Sequence, residues 1–322
     1  MSVSQEVPEC SDKRLDEPGG VMEKMPVQDG LMASLNICYS EVAAQLIDAN
    51  RIQQGQTDGF VTNPVYLSLN ADKSLSGFGQ YGVLYDGSIL NGLDSKKFIF
   101  GNEFGSVCDA VRGVRGKQLC SDKAMPDLST KQDFVNVWER TSSNAEKYSV
   151  FECPVGKQSP YVAAGSTISI IQSLAEQECD QSTRVPMPDM TCASNLRKTP
   201  RKNEVILDQA LKKGLPAGVE VCDNFLFKAG PKMYFDSMDD EASKVPVHQM
   251  MPDNCSGHSM LVIGRRKNPK TNKCQYLLRN SWGVKACQYY RGLPSSDCDK
   301  NGQTWVDDDT LLTNTKNVDV VF

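Results

Sequence analysis

One segment, residues 254–283, constrains the fold of this chain more than any other part of the sequence. It reads NCSGHSMLVIGRRKNPKTNKCQYLLRNSWG. Two apolar runs, residues 259–264 and 274–278, are separated by a polar stretch rich in Asn and Lys. Apolar runs joined in this way are typical of a β-hairpin with a long loop. We therefore expect two antiparallel strands here.

Pairing of these strands is expected to bring a histidine to an asparagine. If Gly264 lies opposite Cys274, the antiparallel register sets His258 opposite Asn280. A histidine that acts as a base needs a third group to fix its tautomer and ring orientation. The sequence therefore predicts His258 as a catalytic base and Asn280 as the group that orients it.

A nucleophile for this base is predicted at Cys38. Residues 40–50, which follow it, repeat apolar side chains on one face of a helix. A cysteine at a helix N-terminus has its thiolate favoured by the helix macrodipole. We therefore expect Cys38 to be a reactive thiol.

Four segments together resemble the papain-like cysteine peptidases, in that family's chain order of Cys, His and Asn. They are Pro26-Val27, Cys38-Tyr39 with its helix, Gly257-His258 and Asn280-Ser281-Trp282-Gly283. The tetrapeptide after an apolar strand is the most specific of these signals. The resemblance implies an α+β, two-lobed fold. A helical lobe would carry the nucleophile helix, and an antiparallel β-barrel-like lobe would carry His258 and Asn280.

The same resemblance implies a cysteine endopeptidase or exopeptidase, as a divergent member of the family such as a secreted bacterial one. Peptide bonds would be hydrolysed through a Cys38 thioester, with His258 as base and acid and Asn280 orienting it. Trp282 resembles the family's aromatic shield over the His–Asn bond. Two alternatives stay open: a papain-fold acyl transferase or peptide ligase, and a non-catalytic binding protein with a degenerate oxyanion hole.

The oxyanion donor is where the sequence departs from the family pattern. The family normally holds a glutamine six residues before the nucleophile, and that position is Met32 here. Gln28, ten residues before Cys38, is the candidate donor, and Asn36 is one alternative. The other is that the Cys38 backbone amide acts with only one partner. The loss of such a donor costs about a hundred- to a thousandfold in rate.

The resemblance divides the chain into three parts. Residues 1–25 are predicted as an N-terminal extension, 26–203 as a mainly helical lobe and 204–322 as a mainly β lobe, with the folded core beginning near Met25. The two lobes would form a single catalytic unit. The length of the chain between Cys38 and His258 indicates inserted loops, which we expect within 54–125 and 180–203.

Local patterns add several elements to this outline. Apolar periodicity predicts helices over 129–145 and 167–178. Residues 204–221 read as a helix, a glycine stop and a strand. The basic run 197–202 is predicted to be a solvated loop.

Cysteine usage indicates disulfides rather than structural zinc. The chain has 12 cysteines but two histidines and no C-x-x-C knuckle. With Cys38 kept as a thiol, at most five bridges can form. The local candidates are Cys108 with Cys120, Cys179 with Cys192, and Cys287 with Cys298. Disulfides imply an oxidising compartment, so a secreted, periplasmic or lysosomal protein is expected.

Charge and hydropathy exclude several classes of partner. Lys and Arg number 35 and Asp and Glu number 40, for a formal net charge of −5, so we expect no nucleic acid partner. No apolar stretch approaches the roughly 20 residues that span a bilayer. The N-terminus has no apolar signal region, so the sequence is interpreted as a mature form. Protein or peptide substrates are expected, and the oligomeric state is not predicted.

No cofactor is expected, although one segment resembles a calcium loop. Asp297, Asp299, Asn301, Gly302 and Asp308 occupy positions one, three, five, six and twelve of that motif. Position twelve is Asp where the motif has a bidentate Glu, and no flanking helices are predicted. Asp, Asn and Gly at these spacings are also common in hairpin turns.

Overall fold

The computed structural model describes the segments that hold the predicted hairpin and nucleophile helix. The described residues are 10, 12–27, 38–56, 58–72, 106–124, 179, 184–194, 199–222, 224–227, 257–290 and 292–322. The chain divides into two compact units. The sheet unit consists of residues 1–30, 45–57 and 190–322, and the second unit consists of residues 31–44 and 58–189. The boundaries drawn from the sequence stay a prediction.

The described chain contains both α-helices and β-strands. The strands are β1 (Lys13–Arg14), β2 (Gln118–Leu119), β3 (Val185–Pro186), β4 (Cys192–Ser194), β5 (Ala217–Cys222), β6 (Gly257–Lys267), β7 (Cys274–Arg279), β8 (Thr304–Asp307) and β9 (Thr315–Val321). The α-helices are α1 (Cys38–Gln53), α2 (Pro64–Asn70), α3 (Val107–Gly113), α4 (Pro200–Lys212), α5 (Asn224–Phe227) and α6 (Asp308–Asn314). The predicted mixture of helices and strands is confirmed. So are the nucleophile helix and the strands at residues 217–221, 259–264 and 274–278.

A seven-stranded antiparallel sheet forms the sheet unit, in the order β4-β9-β5-β6-β7-β8, with β1 paired to β6. Within the described residues its outer strands, β4 and β8, do not pair with each other. The predicted barrel-like lobe is therefore wrong. Barrel closure needs tilted strands that pair around a full ring, and outer strands of three and four residues end too soon for that.

Strand β6 is the centre of this sheet. Its residues 260–263 are fully buried, as expected for an apolar run covered on both faces. Strand β5 pairs with its first six residues, and β1 pairs with Gly264 and Arg265 further along the same edge. A Cβ at Gly264 would lie 2.8 Å from the Lys13 carbonyl oxygen, so the approach of β1 requires glycine there.

The β6–β7 hairpin is confirmed, but its predicted register is wrong. Gly264 lies opposite Leu277 instead of Cys274, and Lys267 is the residue opposite Cys274. A bulge between Val262 and Gly264 adds one residue to β6. The prediction assumed that both strands end with the apolar runs, whereas the ladder continues through the polar end of β6.

Helix α4 begins earlier than the sequence predicts. Thr199 caps it by accepting a hydrogen bond from the Lys202 amide, and Pro200 occupies the first helical position. The second half of the basic run 197–202 is therefore helical rather than a solvated loop. The predicted glycine stop is confirmed, because Gly214 has a φ of +77°.

A buried ion cluster joins α4 to β6. The Arg265 side chain is 1% exposed and lies 2.7 Å from Glu204 and 3.2 Å from Asp208. Lys212 also pairs with Asp208, at 2.8 Å. Removing one partner of a buried ion pair leaves a charge without compensation, which is far more costly than removing an exposed pair.

Replacement of Arg265 by methionine should lower the free energy of unfolding by roughly 3–5 kcal/mol, because two buried carboxylates lose their buried cation and keep only the more exposed Arg201 and Lys212. Urea unfolding followed by circular dichroism measures the change. Arg266→Met is the matched control, since Arg266 is 30% exposed and its ion pair with Asp297 spans 3.8 Å. We expect a loss of about 1 kcal/mol or less there. Equal losses in the two variants would contradict a special role for the buried cluster.

The folded core begins before Met25, earlier than predicted. Leu15 and Met22 are fully buried, and the Leu15 amide donates to the Ile263 carbonyl at 2.9 Å. Cys10 is disulfide-bonded to Cys274 at the start of β7. Cys10 and residues 12–25 therefore pack as part of the sheet unit.

The described part of the second unit contains the start of α1, two short capped helices and a two-stranded sheet. Asn63 caps α2 by accepting from the Tyr66 amide at 2.8 Å. Ser106 and Asp109 form a capping box at the start of α3. Strands β2 and β3 pair antiparallel. The predicted helices 129–145 and 167–178 lie outside the described residues.

Nine of the ten described cysteines are disulfide-bonded, and Cys38 is a thiol. The predicted Cys287–Cys298 bridge is confirmed. The other two predicted pairs are wrong because Cys120 and Cys179 are bonded to each other. Their α-carbons lie 5.9 Å apart, in the usual range for a disulfide, despite 59 residues of separation. Short spacing was therefore a poor guide to connectivity.

This cysteine chemistry can be checked by alkylation under denaturing conditions without reductant. Among the ten described cysteines, peptide mass spectrometry should find the alkyl group on Cys38 alone. Cys38→Ser, the control, should lose that label. Substantial labelling of Cys120 or Cys179 would contradict the bridge between them.

Within the described segments, no helix combines the length and the apolar character needed to cross a membrane.

Candidate active site

His258 lies near the start of β6, where it is 6% exposed and its residue pairs with Val221 of β5. Its Nε2 atom is 2.8 Å from Oδ1 of Asn280. An amide oxygen can only accept, so Nε2 must carry the proton in this bond. In the neutral ring, the lone pair is then on Nδ1, which can take up a proton as a base.

The predicted contact between His258 and Asn280 forms although the predicted register is wrong. The register is shifted by two residues, which leaves both side chains on the same face of the sheet. Leu261 lies opposite Arg279, so one more pair in this register sets Met260 opposite Asn280. His258 is two residues from Met260 and shares its face. The two side chains are therefore diagonal neighbours on one face instead of direct partners. A register error of two residues preserves the face, whereas an error of one would have reversed it.

The other end of the Asn280 amide contacts Tyr290, a residue that the sequence analysis missed. Nδ2 donates to the Tyr290 hydroxyl at 2.8 Å. Tyr290 is 7% exposed, and burial raises the pKa of its hydroxyl well above the ordinary value, so it stays protonated at neutral pH. Its only signal in the sequence is a tyrosine pair after the tetrapeptide, which predicts no contact.

Trp282 lies beside His258, and the shield over the His–Asn bond that the resemblance implies stays a prediction. Its ring centroid is 5.0 Å from that of His258, at an interplanar angle of 34°. It also lies 6.3 Å from the Tyr290 ring. A large apolar side chain in this position reduces the access of water to the hydrogen bond and strengthens it electrostatically.

Cys38 is the first residue of α1, the position that the sequence predicts, and its side chain is partly exposed. It belongs to the second unit, whereas His258 and Asn280 belong to the sheet unit. The 16-residue helix that follows has the length needed for a substantial macrodipole at its N-terminus. Tyr39 beside it is buried, which raises the pKa of its hydroxyl.

Both oxyanion candidates lie outside the described residues. Gln28, Asn36 and the Met32 position between them belong to residues 28–37. The assignment of the oxyanion donor therefore stays a prediction.

The structure does not gather the carboxylates of the predicted calcium loop. Asp299 Oδ1 accepts from the amides of Asn301 and Gln303, at 2.9 and 3.0 Å. Asp297 faces Arg266, and Asp308 is the first residue of α6. Among the described residues, these three aspartates do not form one ligand group. Asp299 instead stabilises a hairpin turn.

Comparisons with known proteins bear on the fold. No protein-family model matches the sequence, and no curated protein sequence matches it. The solved structure of Pepw from Lactobacillus rhamnosis is 12% identical, with a TM-score of 0.50 over 97% of this chain and 82% of that one. This likeness shows a similar fold.

Two further solved structures with lower similarity are those of proteinases. Xylellain, a cysteine protease from Xylella fastidiosa, is 15% identical, with a TM-score of 0.48 over 96% of this chain and 84% of its own. Digestive procathepsin L2 proteinase from the Tenebrio molitor larval midgut is 14% identical, with a TM-score of 0.44 over 92% of this chain. The chain covers 64% of that procathepsin, less than two thirds of its length.

Shielding by Trp282 can be measured without any assay of activity. In Trp282→Ala, the Nε2 proton of His258 should exchange with water about tenfold faster, the equivalent of losing one net hydrogen bond. Proton exchange in ¹⁵N-edited NMR spectra provides the rate. Trp282→Phe, which keeps an aromatic ring, should restore part of the protection, and an unchanged rate in Trp282→Ala would refute the shield.

Proposed function

We propose that this protein is a cysteine peptidase of the papain-like type, with Cys38 as nucleophile, His258 as base and acid, and Asn280 as the residue that orients His258. The hydrogen bond between His258 Nε2 and Asn280 Oδ1 carries this proposal. It is the contact that the family motif requires, and it lies under the tryptophan of the same motif. The fold shared with Pepw is compatible with it.

In the proposed reaction, the Cys38 thiolate attacks the carbonyl carbon of a peptide bond and the carbonyl π electrons move to oxygen. Collapse of the tetrahedral intermediate expels the amine, which takes the Nδ1 proton of the His258 imidazolium. A thioester on Cys38 remains. His258 then removes a proton from water, which attacks the thioester and releases a carboxylic acid and the thiolate. Asn280 accepts from Nε2 throughout.

The oxyanion that develops in both steps needs preorganised donors. We assign this role to Gln28, with Asn36 as the alternative, together with the Cys38 backbone amide. The reaction needs no cofactor.

Protein or peptide substrates outside the reducing cytosol fit this assignment. Nine of ten described cysteines are bonded, which suits an oxidising compartment. We infer a secreted, periplasmic or lysosomal setting.

Activity measurements distinguish the role of the nucleophile from that of the orienting residue. Cys38→Ala should reduce peptide cleavage at least about a thousandfold, because no covalent intermediate forms. Asn280→Ala should reduce kcat about ten- to a hundredfold, because the imidazole loses its orientation. Cleavage of a pooled peptide library, followed by mass spectrometry, measures both. Asn268→Ala, at the loop end of the same hairpin, is the control and should stay within about twofold of the parent activity.

An epoxide inhibitor of thiol peptidases provides the decisive test. The wild-type protein in reducing buffer should be labelled at Cys38 and should hydrolyse peptides. Labelling with transfer products but no hydrolysis would favour an acyl transferase or ligase. Absence of the inhibitor label on Cys38 would contradict the catalytic proposal and favour a non-catalytic binding protein.

A further inference from the structure

The turn that leads into β8 packs against the chain directly after the candidate site. It comprises residues 298–304, and Gly302 near its tip faces the backbone of Gly283 and Val284. A Cβ on Gly302 would overlap the Gly283 carbonyl oxygen and lie 2.9 Å from the Val284 carbonyl carbon. Neither approach is compatible with van der Waals contact, so this packing requires glycine. The residue before Gly283 is Trp282.

Several bonds hold this turn in place. Asp299 Oδ1 accepts from the amides of Asn301 and Gln303, at 2.9 and 3.0 Å. The Asp299 amide donates to the Gln303 carbonyl at 2.9 Å. Cys298 is bonded to Cys287 at one end of the turn, and at the other end β8 pairs with β7. We expect a turn held in this way to pass a steric displacement on to the segment that it touches.

The same turn also contacts the chain before the candidate site. The Gln303 amide lies between the Arg279 guanidinium and the carboxylates of Asp16 and Asp299. In the orientation that pairs each donor with an acceptor, its nitrogen donates to the two carboxylates at 2.8 and 3.1 Å. Its oxygen then accepts from Arg279 at 3.2 and 3.3 Å. Because Arg279 immediately precedes Asn280, the turn contacts this segment on both sides of the site.

We propose that Gly302 is a positioning residue, and that its close approach to Gly283 sets the place of Trp282 beside His258. The indole and the imidazole are 5.0 Å apart between ring centroids. The segment that resembles a calcium loop thereby gains a role without a metal, since its Asp299 shapes the turn and its glycine makes the contact. The placement of Trp282 rests on these contacts alone, whereas an effect on rate rests on the proposed function.

The chain offers a matched control for the replacement of this glycine. Gly302 has a φ of +72° and Gly116 a φ of +73°, so alanine is equally strained at both positions. A Cβ on Gly116 would have no described atom within 4 Å. Gly302→Ala therefore adds the overlap with Gly283 to a backbone strain that Gly116→Ala has as well.

The position of Trp282 can be read by ¹⁹F NMR of protein labelled with 5-fluorotryptophan, since the chain has three tryptophans. Trp282→Phe identifies its resonance. Gly302→Ala should shift that resonance, and Gly116→Ala should leave it at the parent position. A Trp282 resonance that does not move in folded Gly302→Ala would overturn the inference, because the turn would then have absorbed the overlap. So would a shift confined to Trp305, which follows the turn in β8.

A second pair of variants tests the turn without adding an atom, in case Gly302→Ala does not fold. Asp299→Ala removes the oxygen that accepts from two amides of the turn, so it should also shift the Trp282 resonance. Asp299→Asn, which keeps an acceptor oxygen, should restore the parent position. An unshifted resonance in Asp299→Ala would contradict the proposed role of the turn.

Kinetics connect the placement of Trp282 to the reaction. Gly302→Ala should lower kcat about ten- to a hundredfold with KM within about twofold, because small displacements of catalytic groups are costly in rate. Gly116→Ala should stay within about twofold of the parent kcat. A loss of kcat without movement of Trp282 would overturn the inference. If the parent protein cleaves no peptide while Gly302→Ala still moves Trp282, the proposed function fails and the positioning role stands.

Discussion

The burial of strand β6 is the constraint on which the sheet unit depends. An apolar run covered on both faces must have every backbone group paired, and three different strands supply the partners of β6. The start of this strand carries His258, and its far half carries the buried Arg265. The candidate base therefore lies on the strand that pairs with three others. Rigid support is what a catalytic group needs, since small displacements are costly in rate.

Two clusters of buried polar side chains lie along this strand, one towards each end. At one end, helix α4 supplies Glu204 and Asp208 to Arg265. At the other end, the segment after β7 supplies an amide and an indole to His258, and a phenol to that amide. Both clusters combine a residue of β6 with residues distant in sequence. A buried polar cluster that is only partly paired costs free energy. Formation of each cluster is therefore coupled to formation of the sheet.

The sequence predicts the elements of the site better than it predicts their pairing. Apolar runs located the hairpin and apolar periodicity located α1, because these signals are local. The predicted strand register was wrong by two residues at His258. The contact with Asn280 was still predicted because a shift of two residues keeps a side chain on the same face of the sheet. Disulfide partners and the contact with Tyr290 depend on tertiary proximity, which spacing does not encode. Thus Cys287–Cys298 was predictable as a short loop, whereas Cys120–Cys179 was not.

The Cys10–Cys274 bridge makes the polypeptide between these residues a closed covalent ring with a sequence separation of 264. Cys38 and His258 both lie on that ring. A single backbone cut anywhere along it opens the ring but releases neither piece while the disulfide persists. Proteolytic cleavage of one peptide bond within the ring would thus give two fragments in a reducing gel. Under non-reducing conditions the mass of the protein would rise only by one water molecule.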